Sequence, residues 1–192
     1  YSVTKIKLNL INNPNKVYKK IEVDNYNDDM RLEPLSINPF QNFRRPINYF
    51  LEDAKILGLS NLILNNKNEC AINNVVFNTK NNDKIFHESE TNLKINKDEV
   101  YFDYSKEEHI KKGIFLGSHW NYGHWLFNHV ARLYYCQSNI KENLIIVNKS
   151  IDKDKFQILK YFNIPEEKIK IIDRGTLLKV DELIIPQIPW HS

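Results

Sequence analysis

The rhythm of hydrophobic positions changes along the chain. Near the start, Val3, Ile6, Leu8 and Leu10 alternate weakly with polar residues. This predicts one or two strands, with a turn at the Asn-Asn-Pro-Asn of residues 12–15. Residues 24–48 are rich in Asn, Asp and Pro and predict irregular chain. Pro46 stands where a helix can begin, since its missing N–H is unpaired at that position anyway. Ile47, Phe50, Leu51, Ala54 and Leu57 follow at helical spacing, with Gly58 as the stop, and predict a helix. Residues 73–78 and 84–87 predict two short strands joined as a hairpin by the polar turn 80–83.

After Tyr104 the pattern reads as alternating strands and helices. Residues 106–112, Lys-Glu-Glu-His-Ile-Lys-Lys, look like a solvated helix face. Gly-Ile-Phe-Leu-Gly at 113–117 predicts a buried strand, and a loop at 118–123 leads into a helix from about His124 to Ser138. Strands are expected at 144–147, 169–172 and 183–185. A helix is expected at 152–162, with Phe156, Leu159 and Phe162 inward. Such an alternation signals parallel βαβ units with right-handed crossovers. The fold class is therefore α/β. Residues 1–100 form a mixed α+β portion with a hairpin, and 101–192 a Rossmann-like parallel sheet with flanking helices, in one continuous domain with the first.

Composition narrows the function. The 192 residues carry a net charge of +3, which gives no case for a nucleic-acid partner. No apolar run approaches the roughly 20 residues of a membrane span, and no signal peptide is visible. Cys70 and Cys136 make no disulfide framework and fit no zinc spacing, so a reducing compartment is the default. The excess of Asn (26, against three Ala) reads as an AT-rich coding bias, as in a bacterial genome. The chain begins at Tyr1 without Met and stops at Ser192 just after a strand-like segment, which reads as part of something longer. Dinucleotide, P-loop and nucleophile-elbow motifs are absent, which disfavours an NAD enzyme, an ATPase and an esterase.

The informative stretch is Gly117 to Arg132, G-S-H-W-N-Y-G-H-W-L-F-N-H-V-A-R. It follows the carboxyl end of a predicted parallel strand, where open α/β sheets bind ligands. Asn121 is a good N-cap. His124 and Asn128, four apart, share a helix face, while Leu126, Val130 and Leu133 form an apolar stripe with Trp125 beside it. His119, His124 and His129 are five apart, a spacing that turns successive residues of an α-helix well out of line, so no metal site is expected.

This stretch resembles the hallmark of glycosyltransferase family 61, which includes capsular polysaccharide biosynthesis proteins. The matching residues are Asn121, His124, Trp125 and Leu126, then Arg132 and Leu133. The later blocks N-L-I-I-V, N-I-P-E-E-K-I-K-I-I-D and V-D-E-L-I-I-P, and the hairpin ending in Phe86-His87-Glu88-Ser89, extend the resemblance over residues 70–190. Two positions depart from the family: Asn128 stands where it usually carries Asp or Glu, and Ala131 where it has Pro.

The resemblance implies the acceptor-side, N-terminal half of a GT-B enzyme whose second, donor-binding half is absent here. It implies inverting sugar transfer from a nucleotide sugar to a glycan or polysaccharide acceptor, without a cofactor or an obligatory metal. His124 is then the catalytic base, because the acceptor hydroxyl must lose a proton and imidazole titrates near the working pH. His119, Trp120, Asn121, Tyr122, Asn128 and Arg132 become candidates for substrate binding, with the aromatics as stacking surfaces. The bland readings stand beside these. His124 could merely cap the helix, His119 could be an ordinary loop residue, and Trp125 and Arg132 could serve the core. Glu88 reads as a surface strand end, and Trp190 and His191 as cleft lining or a frayed terminus. Nucleotide sugars and reduced cysteines suggest the cytoplasm. The alternative function is a non-catalytic glycan- or partner-binding module that kept the fold. A metal-dependent hydrolase using the clustered histidines is a third.

Overall fold

A computed structural model of the chain describes residues 4–11, 16–21, 24, 47–60, 62–71, 93–96, 99–119, 121–149, 151 and 153–187. The expected hairpin at 73–87 lies outside them, as do Trp120, Glu88, Trp190 and His191.

Sheet dominates. The strands are β1 (Thr4–Ile11), β2 (Lys19–Ile21), β3 (Ile47–Leu57), β4 (Ile63–Leu64), β5 (Glu69–Ala71), β6 (Leu93–Asn96), β7 (Glu99–Tyr104), β8 (Lys106–Gly117), β9 (Leu144–Asn148), β10 (Ile169–Ile172) and β11 (Thr176–Gln187). Among the described residues they join one sheet in the order β10-β9-β8-β11-β3-β4-β5-β1-β7-β6, with β2 paired to β3. Strands β10, β9, β8 and β11 are mutually parallel, and β3 runs antiparallel to β11 over ten registered pairs. The expected strands at 144–147 and 169–172 are present, and that at 183–185 is the end of the much longer β11. The helical stretch from Tyr122 to Asn139 joins β8 to β9. Helix α2 (Lys153–Tyr161) lies between β9 and β10. Leu159 is fully buried there, whereas Phe162 is 43% exposed rather than inward. Among the described residues no helix is long and apolar enough to cross a membrane.

Two helix expectations are overturned. The segment expected to be helical from Pro46 is strand β3, and Lys106–Lys112 belongs to strand β8. The cause on β3 is a crease shared by two neighbouring strands, β3 and β11. On β3, Tyr49 and Leu51 face one core, but beyond Glu52 and Asp53 the same core receives Ala54 and Ile56. On β11, Leu183 and Ile185 lie on one side of Asp181 and Leu178 and Val180 on the other, again in that core. The register is unshifted, with Ala54 opposite Val180 and Glu52 opposite Glu182. Both strands therefore change faces together. Asp53 sits in the crease at φ 52°, a left-handed conformation that Asp tolerates better than most residues. Two successive exposed residues turn period 2 into a spacing of three, Leu51 to Ala54, which imitates a helix.

The crease folds the sheet over itself. Lys170 is level with Ile146, and Ile146 with Phe115. Yet the Lys170 ammonium pairs with the Glu108 carboxylate, seven residues earlier on β8. Seven residues of straight strand would span about 23 Å, beyond the reach of two side chains. Folding also explains how only Asp173, Arg174 and Gly175 link β10 to β11, two parallel strands with two others between them. Glu108 lies between Lys106 and Lys170, whose hydrogen bonds hold its carboxyl below the usual range. The charges at 106–112 thus line a paired strand: Glu107 meets Lys179, His109 meets Asp181, and Lys112 meets Glu182.

At the folded-over end, a Cβ on Gly58 would lie 2.0 Å from the Asp173 carbonyl oxygen. Backbone cannot yield as a side-chain tip does, so Gly58→Ala is expected to destabilise the protein by about 2 kcal/mol or more. A lowered urea midpoint at unchanged slope would show it; an unchanged midpoint would mean this close approach does not exist in solution.

Candidate functional site

The site grows from the carboxyl end of β8. Ile114 and Leu116 bury one face of that strand against Trp125, Val130, Leu133 and Cys136, which anchors the helical segment after it. Ser118 and His119 leave the strand buried, and Asn121 caps the first helical turn. Its side-chain oxygen accepts the His124 backbone N–H at 3.2 Å, the N-cap role expected from the sequence. A single α-turn, α1 (Tyr122–His124), gives way to a π-wound turn (Trp125–His129) and then a 3-10 stretch (Val130–Asn139). The Val130 N–H is shared between the carbonyls of Leu126 and Trp125, four and five residues back.

Three histidines meet around this turn, with His119 contributed by the loop before the helix. The His119 ring lies 4.7 Å from His124 and 6.3 Å from His129, centroid to centroid. Helical spacing does not govern His119, which precedes the helix and meets both other rings, whereas the helical pair faces different ways, His124 outward and His129 inward. Nothing in the composition of 125–129 announces a π-turn.

Each ring has a definite hydrogen-bonding role. His119 Nδ1 accepts the Asn121 backbone N–H at 2.9 Å, which places its proton on Nε2. His129 Nδ1 donates to the Leu116 carbonyl at 2.6 Å. Burial, and secondly the Arg132 charge, push the His129 pKa down to about 3, although the bond to Leu116 opposes this. His129 is thus a neutral, structural imidazole stacked on Trp125 at 5.7 Å. His124 is exposed, and its Nδ1 lies 3.2 Å from the Asn128 side-chain nitrogen. The i, i+4 contact expected from the sequence is formed. Among the described residues no three His, Cys, Asp or Glu side chains are grouped to hold a metal ion.

The remaining candidates spread around this centre. Tyr122 is 49% exposed beside His124, and Asn128 and Arg132 are half-buried. Arg132 is close enough to His129 for its charge to help hold that imidazole's pKa down. Trp125 is fully buried, the core role weighed for it. Phe127, which the sequence did not single out, is 63% exposed, and Tyr134 is 53% exposed. Their exposure was legible only once the helix face was known.

Cys136 lies beneath the segment. Burial, and then the nearby Asp24, push its thiol up to about 12. It is expected to resist alkylation at pH 8 in the native protein and to react once urea unfolds the chain, read by peptide mapping. Rapid native labelling of Cys136 would show that the segment opens easily.

Compared with protein-family models, with curated proteins and with solved structures, the chain gives no significant match.

Proposed function

We propose that this chain supplies the acceptor-side part of a glycosyltransferase that moves a sugar from a nucleotide donor to a glycan or polysaccharide. The observation that carries the reading is an exposed histidine, His124, braced by Asn128 beyond the carboxyl end of a strand in a parallel set. In the proposed reaction His124 takes the proton of the acceptor hydroxyl. The freed oxygen pair attacks the anomeric carbon, and the bond from that carbon to the donor diphosphate breaks, the pair leaving with the phosphate oxygen. The product has inverted stereochemistry. Tyr122 and Phe127 offer exposed ring faces on which sugar rings can stack. The parallel strands β8–β11 support a Rossmann-like half of a GT-B enzyme. A cytoplasmic setting, where nucleotide sugars are made, belongs to the same proposal.

The test is a panel of nucleotide sugars and glycan acceptors with the natural full-length protein. Transfer with one donor supports the reading. One observation favours a second function: Asn128 is an amide and cannot serve as acid or base. A folded full-length protein that binds glycan but turns over no donor would be a binding module.

A further inference from the structure

The Asn128 amide can meet His124 with either its nitrogen or its oxygen, and the choice decides which imidazole nitrogen is basic. In the structure the side-chain nitrogen faces His124 Nδ1 at 3.2 Å. The inward atom is then Oδ1, which is buried and has no hydrogen-bond partner among the described residues. Turning the amide would bury an NH2 group there instead, and a buried carbonyl oxygen without a partner is tolerated more often than a buried N–H without one. That preference keeps the oxygen inside and the nitrogen toward the histidine.

A neutral imidazole that accepts at Nδ1 carries its proton on Nε2. We infer that Asn128 is a positioning residue that holds neutral His124 protonated on Nε2, so that its basic lone pair lies on Nδ1, on the Asn128 side. A proton arriving at His124 must land on Nδ1 and displace the amide. An aspartate at this position would do the reverse. Its carboxylate would accept from Nδ1–H and leave the lone pair on Nε2, facing away. An amide or a carboxylate at position 128 thus decides which nitrogen is basic. The His119 ring faces His124 at 4.7 Å and neutral His129 at 6.3 Å, and the Arg132 charge acts on His129.

The catalytic meaning of this tautomer rests on the proposed transferase, but the tautomer can be read without any activity. Long-range proton–nitrogen NMR correlations of the 15N-labelled protein distinguish a protonated from an unprotonated Nδ1. The expected result is an unprotonated Nδ1 above the His124 titration. The Asn128 side-chain NH2 resonances should move with the same midpoint as His124 when pH is lowered. In Asn128→Asp the proton should pass to Nδ1. A wild-type His124 protonated on Nδ1, or Asn128 NH2 signals that ignore the His124 titration, would overturn the inference. A correct tautomer in a protein that transfers no sugar would sink the transferase reading and leave this one standing.

Discussion

Lowering the pH from 6.5 toward 3 is expected to strip the protein of several kcal/mol of stability through one residue, His129. Its imidazole is neutral in the folded state, with a pKa pushed from 6.5 down to about 3 by burial. In the unfolded chain it takes up a proton near pH 6.5. Above that pH both states are neutral and folding keeps the full benefit. Below it the unfolded state gains a proton the folded state refuses, so stability falls steadily until the folded group also protonates near pH 3. The sign follows from the extra proton bound by the unfolded chain. At about 1.4 kcal/mol per pKa unit the full loss is about 5 kcal/mol, a large share of a typical domain's stability. Glutamine can keep a donor toward the Leu116 carbonyl without titrating. Thermal melts across pH 7 to 4 should therefore fall steeply for wild type and more gently for His129→Gln. Parallel curves would mean that His129 is not a buried neutral ring.

Replacing His124 by alanine is expected to cut sugar transfer by about a hundredfold to ten-thousandfold, the usual range for loss of a general base. The loss should appear in kcat, since His124 is exposed and removing its ring opens no core cavity. The melting temperature should hardly move, in contrast to His129. A variant with unchanged turnover would leave the transferase and discard the base. A variant that loses turnover by unfolding would show that the ring is structural. Both measurements use the same full-length protein and the donor found active in the panel.

Two of the four parallel strands were legible at nearly full length because they are short, mostly apolar runs separated by a clear amphipathic segment. Leu144–Asn148 and Ile169–Ile172 are of this kind. Local pattern and tertiary geometry part company at the crease. Glu52 and Asp53 are two exposed residues in a row, and their meaning depends on the matching break at Asp181 and Glu182 on the neighbouring strand β11. No window along one strand contains that information. In the site, Asn121 as cap and His124 against Asn128 follow from spacing alone. The gathering of His119 and His129 does not, because His119 stands in the loop before the helix and meets it only in three dimensions. The fate of Arg132 was also hidden, since its charge is felt by a ring that faces inward.

The π-turn makes chain length itself a variable of the site. Each residue of a regular helix advances the face by about 100°. Removing one residue between Trp125 and Asn128 would let the turn relax to ordinary winding while Trp125 and Val130 kept their apolar seats. Every side chain could remain chemically intact, yet Asn128 would stand three residues from His124 instead of four. A single-codon deletion there is therefore a larger event than most substitutions. Any protein descended from this one with a residue fewer in that turn must have rebuilt its His124–Asn128 contact or abandoned it.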